Sequence, residues 1–244
     1  EQWRLPDAEK RLALKRATPL GVSGAKLLRA LRDRQRALAA SQAAETVLTL
    51  EATAVAPFTT GLGNEHPLEN GFAFLSPYGL PYLPGSGVKG VLRRAAEALS
   101  VEGEAGWTSA ALAALLGEEA ESGATDAPRN RGALEFWDAF PQLAGDRLLV
   151  DIVNPHHSGY YQNGVAPHDA ENPKPVFFLT VPPGSPFTFH VRCHSALLPE
   201  ALRNGWHSLL EAAFELAFAW IGFGAKTAVG YGAMRGSERA TPTP

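Results

Sequence analysis

The sequence predicts an α+β fold, an antiparallel sheet with helices on one face, carrying long insertions and an N-terminal helical extension. Three observations lead there. Strand-like segments fall at 46–54, 132–139, 148–153, 176–181 and 187–194. Two segments with a 3.6-residue apolar period, 85–99 and 205–222, separate them unevenly. With the insertions set aside, the order is strand, helix, two to four strands, helix, strand. That is the β-α-β-β-α-β, ferredoxin-like order, in which two helices bury their apolar stripes on one sheet face.

Each element has its own warrant. Residues 1–21 read as an arm, punctuated by Pro6, Pro19 and Gly21. Ser23 is placed to cap a helix running to about residue 41. On it Leu27, Leu28, Leu31 and Leu38 share one face, and Arg29, Arg32 and Arg36 share the next. That basic face suits either solvent or phosphate. Residues 46–54 alternate with period two and are β-branched. The Pro- and Gly-rich stretch 57–90 is irregular, and a connection that long inside a domain is usually functional.

From Gly85 a helix carries Val88, Val91, Leu92, Ala95, Ala96 and Leu99 on one side. An acidic, Ala- and Gly-rich insertion, 101–131, follows and holds one short helix at 109–116. Its charge predicts that it is solvent-exposed or faces a basic partner. A second irregular insertion, 154–175, holds three of the seven histidines. The run Pro182-Pro-Gly-Ser-Pro186 is a strong turn signal between two strands. Helix 205–222 turns Trp206, Leu209, Leu210, Ala213, Phe214, Ala217 and Ile221 inward. The expected organisation is an extension over 1–45, one domain over 46–235, and a flexible tail over 236–244.

Composition narrows the function. The apolar fraction of 45% supports a core, and 19% charged residues is too few for a disordered acidic chain. One cysteine, Cys193, excludes an internal disulfide and a Cys-rich zinc site. The best apolar run, 209–221, is interrupted by Glu211 and Glu215, so no transmembrane helix is expected. A soluble protein of a reducing, cytoplasmic compartment is the expectation.

A net charge of −3 argues against non-specific nucleic-acid binding by the whole surface. The charge is nevertheless polarised. Residues 1–40 hold ten Lys/Arg against four Asp/Glu, whereas residues 95–128 hold seven acidic side chains and no Lys or Arg. Such a chain meets different partners at different faces. Arg outnumbers Lys sixteen to six. That suits planar phosphate recognition, and equally a biased genome or a hot habitat.

Two Gly-rich segments carry the candidate chemistry. Gly85-Ser-Gly-Val-Lys-Gly90 fits the dinucleotide pattern of three spaced glycines but lacks its context. Pro81 and Pro84 cannot sit in a central parallel strand. Gly222 to Gly232 is not a phosphate-binding P-loop, because Ala225 precedes Lys226. Both segments instead offer backbone N–H groups beside one lysine. The first opens a helix, whose N-terminus favours an anion. Gly85, Ser86, Gly87, Lys89 and Arg93, with Gly222, Gly224, Lys226 and Thr227, are thus candidates to hold a phosphodiester backbone. The competing account is that these glycines serve only turns and close packing.

Two other groups bear on metal or acid–base chemistry. Glu65, His66 and Glu69 lack helical ligand spacing. Asp151, His156, His157, His168 and Asp169, with Tyr160 and Tyr161, suit a nuclease on composition alone. Histidines in such a loop are more often hydrogen-bonded turn residues. No catalytic residue, metal ligand or cofactor is assigned.

Three segments together resemble a known superfamily. They are Thr60-Gly-Leu-Gly-Asn-Glu-His-Pro-Leu-Glu-Asn-Gly-Phe72, Leu80-Pro-Tyr-Leu-Pro-Gly-Ser-Gly-Val-Lys-Gly-Val-Leu-Arg93 and Gly222-Phe-Gly-Ala-Lys-Thr-Ala-Val-Gly-Tyr-Gly232. They resemble the repeat-associated mysterious proteins, or RAMP superfamily, of CRISPR systems. The first, with Asp151-Ile-Val-Asn-Pro-His-His157, looks like the sixth-subunit family of Cmr-type, type III-B, effector complexes. The resemblance runs from about 46 to 235.

It implies an RRM-derived RNA-binding fold and a non-catalytic structural subunit. The implied partners are CRISPR RNA, target RNA and the backbone, small and head subunits of a Cmr complex. Target cleavage would belong to the repeated backbone subunit. RRM-type stacking uses exposed sheet aromatics, and the usual aromatic motif is missing, so backbone holding is favoured over base readout. Two rivals stay open. One is a metal-independent endoribonuclease using His66 or His156, and the other is a small-molecule enzyme built on the Gly85 loop.

Overall fold

The computed structural model describes residues 6–66, 70–118, 131–153 and 175–237. Helices α1 (Asp7–Ala17) and α2 (Gly21–Ala40) open the chain, and strand β1 (Val47–Ala54) follows. A long connection with two short strands, β2 (Phe74–Leu75) and β3 (Leu80–Pro81), leads to helix α3 (Gly85–Glu102). Next come helix α4 (Ser109–Leu116) and strands β4 (Leu134–Phe136), β5 (Leu149–Val153), β6 (Val176–Thr180) and β7 (Pro186–Cys193). Helix α5 (Trp206–Leu216) and strand β8 (Met234–Gly236) close the described chain.

The central sheet has the order β4-β7-β1-β8 and is antiparallel throughout. Its register pairs Leu48 with Val191, Leu50 with Phe189 and Ala52 with Phe187. These positions share one face, and a one-residue slip would send them all to the other. On that face Leu48, Ala52, Phe187, Phe189 and Val191 are buried. Phe189 lies 5.2–5.5 Å, ring to ring, from Phe214, Phe218 and Phe223. Helix α3 adds Val88, Leu92, Ala95, Ala96 and Leu99 to the same core.

Helices lie on both faces, not on one. The residues of β1 and β7 that alternate with the core set are Thr49, Glu51, Thr188 and His190. Helix α2 packs over them. Gln35 donates to the Asp138 carbonyl at 2.7 Å, Arg32 to Gln142 Oε1 at 2.8 Å, and Arg36 is 3.8 Å from Glu51. Thr188 and His190 are buried as a result. His190 is hydrogen-bonded through Nδ1 to Thr49, and burial, then nearby Arg36, lowers its pKa to about 4. The basic helix expected to meet solvent or phosphate thus spends Arg32 and Arg36 inside the protein.

Other expectations need correction. The N-terminal arm is helical from Asp7 to Ala17 and docks through Leu14 and Lys10, both buried. Arg11 stands 5.9 Å over the ring of Phe177 in β6. Ser23 does not cap α2, which begins at Gly21. Of the four leucines, Leu28 is buried, whereas Leu27 and Leu38 are about half exposed. The strands on either side of the Pro182–Pro186 turn belong to different sheets, because β6 pairs with β5.

The first part of the acidic insertion is core rather than surface. Trp107, Ala111, Leu115 and Leu116 are buried, and Trp107 Nε1 donates to the Leu209 carbonyl of α5 at 2.9 Å. Thr108 caps α4 by accepting from the Ala111 N–H. The remainder of that insertion, nearly all of the second one, and the tail beyond 237 lie outside the described residues. No helix among the described residues is long and apolar enough to cross a membrane.

Candidate functional site

Strands β1 and β4 both run antiparallel to β7, so both finish at the same end of the sheet. The connections after β1 and β4, and the α5–β8 connection, gather there. Both Gly-rich segments are therefore carried to one end.

The second segment is bound to the chain that leaves β1. Helix α5 runs into one π turn, Ala217–Ile221, and Gly222 (φ 75°) ends it. The N–H groups of Gly232 and Ala225 donate to the carbonyls of Pro57 and Thr59, at 2.8 and 2.7 Å. A Cβ on Gly224 would overlap the Thr59 carbonyl oxygen, and one on Gly232 the Phe223 carbonyl oxygen. Phe223 is buried in the core.

Tyr231 donates from its hydroxyl to Asp151 Oδ2 at 2.7 Å. Burial and that bond push the phenol up to about 12. Asp151 therefore anchors this loop. Lys226 has a left-handed backbone (φ 62°), and its Nζ lies 5.6 Å from the Phe178 ring centre. Thr227 opens the single turn Thr227–Val229, its methyl near Gly222. Lys226 and Thr227 are half-buried, and Gly224 is exposed.

The first segment is seated differently. The Gly85 N–H donates to Asp138 Oδ1 at 2.7 Å. A carboxylate already meets the positive end of α3, so the anion seat expected at Gly85 is filled by the protein. A Cβ there would also overlap the Phe136 carbonyl oxygen. Beyond Gly85 the surface opens. Ser86 and Gly90 are exposed, Gly87 and Lys89 half-buried, and no atom lies within 4 Å of a Cβ on Gly90. The ammonium of Lys89 is disfavoured by burial, then by Arg93 and Arg131. Arg131, which sequence spacing did not single out, thus joins the positive field.

Arg93 has a different task from the one expected. Its Nη2 donates to the carbonyls of Leu116 and Gly117 at 3.0 and 2.8 Å, and Nη1 is 3.9 Å from Glu97. It satisfies the open end of α4. The Thr60–Phe72 segment is a tight loop closed by Asn64 N–H to the Gly61 carbonyl and Ala73 N–H to that of Thr60. Glu65 and His66 are exposed on it. Glu69, His156, His157, Tyr160, Tyr161, His168 and Asp169 lie outside the described residues. Among the described residues, no three His, Cys, Asp or Glu are grouped to hold a metal ion.

The sheet, its two covering helices and the two glycine-rich segments define the class. The chain belongs to the RAMP superfamily, whose family model matches residues 51–235. Within it, the chain is similar to Cmr6. It is 31% identical over 227 residues to the CRISPR system Cmr subunit Cmr6 of Pyrococcus furiosus, covering 71% of this chain and 63% of that one. It is 29% identical over 143 residues to the CRISPR system CMR subunit Cmr6 of Saccharolobus solfataricus, covering 58% and 43%. The matches thus span less than two thirds of either relative. A chain in the cryo-EM structure of the Type III-B Cmr-beta bound to cognate target RNA has the same fold. The TM-score is 0.62 at 20% identity, over 97% of this chain and 78% of that one.

Proposed function

We propose that this chain is a non-catalytic, RNA-holding structural subunit of a type III-B (Cmr) CRISPR effector in the cytoplasm, a ribonucleoprotein that targets foreign RNA in antiviral defence. Its partners on this reading are CRISPR RNA, target RNA and the backbone, small and head subunits. The observation that carries it is the placement of two Gly-rich, lysine-bearing segments at one end of the sheet, inside the span that matches the RAMP model. We read the core as ferredoxin-like. In support, α3 links β1 to β4, α5 links β7 to β8, and the strand order is β8-β1-β7-β4.

Backbone holding follows from what the sheet leaves open. An RRM stacks bases on its free sheet face. Here α2 covers much of that face, and His190 beneath it is buried. Exposed backbone on α3 and two lysines are better suited to phosphates, which carry no sequence information.

The test is to assemble the complex from purified subunits with labelled guide RNA. A complex containing this chain should hold the guide, and the isolated chain should not cut it, with or without EDTA. His66→Ala should leave target cleavage per assembled particle unchanged. Loss of cleavage with intact assembly and RNA content would assign His66 a catalytic part.

A further inference from the structure

A groove of about 580 Å³ opens where β8 stops. β8 pairs with β1 only at Ala52–Ala54, and Ser237 then donates to the Glu51 carbonyl. Among the described residues, β1 has no strand beside it on that side from Val47 to Leu50. Val55 N–H bonds the Ala233 carbonyl, and the Glu51 carbonyl accepts from Ser237, so the odd-numbered residues turn their polar groups toward β8. By the same alternation Val47 and Thr49 turn theirs to the open side. A free edge of this kind is a template for another chain.

The groove has an apolar floor and acidic walls. Leu50, Phe214, Phe218 and Met234 form the floor. Glu51, Glu211 and Glu215 line the walls, against Arg235. Glu211 and Glu215 are one helical turn apart on α5 and face the same way. Trp220, 83% exposed, stands on the π turn that supplies Phe218 and Ala219. Exposed tryptophans beside apolar grooves anchor protein interfaces.

We propose that this groove docks a partner protein, whose extended segment adds a strand to the free edge of β1. The segment alternates apolar side chains, seated on Leu50 and Phe214, with Lys or Arg reaching Glu211 and Glu215. Period-two alternation makes that pattern the one a strand presents. RNA is the wrong occupant, since three carboxylates repel phosphates. The chain's own continuation, Glu238-Arg-Ala-Thr-Pro-Thr-Pro244, has no large apolar side chain for the floor and two prolines that oppose pairing. The proposal is independent of how the Gly-rich segments are used.

The probe is a fluorescent peptide of alternating valine and lysine, about eight residues long, with a valine–glutamate twin as control. The lysine peptide should bind the full chain and slow amide exchange at Val47 and Thr49, and the twin should not bind. Glu215→Lys, at an exposed position, should weaken binding by roughly tenfold, and Glu211→Lys/Glu215→Lys by more. Glu215→Gln, which cannot disturb the fold by size, should lose affinity in the same direction. Equal binding by the reversed-charge chains, or no protection at Val47 and Thr49, overturns the proposal. Much tighter binding by a chain ending at Ser237 assigns the groove to the chain's own tail. Competition by a second, unlabelled copy of the chain assigns it to self-association.

Discussion

In the 222–232 segment the glycines are held by the protein itself, whereas in the first turns of α3 only Gly85 is. Gly222, Gly224 and Gly232 each sit where a Cβ would press on a backbone carbonyl: of Tyr231, Thr59 and Phe223 respectively. Their carbonyl neighbours belong to β1's exit and to the loop's own return, so the glycines fix a closed backbone. Gly90 has no atom within 4 Å of a Cβ, and a helical φ. A glycine inside a helix costs about 1 kcal/mol against alanine. At Gly90 no internal packing offsets that cost. Two segments of like composition therefore divide the work. One is mainly scaffold with a single lysine displayed, and the other is an open surface on a helix already capped by Asp138.

The largest effect expected from this contrast is on stability. Gly232→Ala should cost about 3 kcal/mol or more, because its Cβ overlaps backbone that cannot move without opening the core at Phe223. For a chain of this size that lowers Tm by roughly 6–12 °C. Thermal unfolding followed by circular dichroism reads it directly. An unchanged Tm would mean that the loop is not fixed by its glycines, and the contrast with α3 would collapse.

Arg93→Ala comes next. It removes the guanidinium from two carbonyls at the end of α4 and leaves them half-buried. The expected loss is about 1–3 kcal/mol. RNA affinity measured over a salt series should keep its slope, because the guanidinium is already engaged inside the protein. A lower slope with unchanged Tm would return Arg93 to the RNA-holding set.

The lysines should behave in the opposite way. Lys89→Ala with Lys226→Ala should weaken guide-RNA binding by about tenfold, whatever the sequence. The salt slope should fall by roughly 0.7 for each phosphate that the protein no longer neutralises. Filter binding or anisotropy between low and moderate salt is sufficient. If only Lys89 moves the slope, the 222–232 segment is scaffold alone and the division becomes complete.

What could be read in advance follows the range of the physics involved. The strands β1, β5, β6 and β7 and the helices α3, α4 and α5 were legible because apolar period, capping at Thr108 and Pro/Gly punctuation are local signals. Helix α1 was not. It buries little beyond Leu14 and Lys10, so charge and the flanking Pro6 and Pro19 made it look like an arm. The second covered face was missed for a related reason: α2 docks through polar pairs, Gln35 with Asp138 and Arg32 with Gln142, that no periodicity announces. At the site, the two Gly-rich segments and their lysines were visible. That Asp138 would fill the seat at Gly85, and that Arg93 would be taken by α4, depends on chain segments brought together only by folding.

The smallest expected effect discriminates best. Gly90→Ala adds one methyl at an exposed helical position with nothing near it. Helix propensity alone should stabilise the fold by about 1 kcal/mol and raise Tm by roughly 2–4 °C. If RNA approaches this turn as closely as its bare backbone permits, the same methyl should weaken guide binding while leaving the salt slope as it was, since no charge is lost. Stability and affinity would then move in opposite directions from a single carbon. A chain that gains stability and keeps its affinity would show that RNA does not come close to Gly90. A chain that loses stability would show that the neighbourhood of Gly90 is filled in the folded protein, and the distinction between the two segments would rest on the lysines alone.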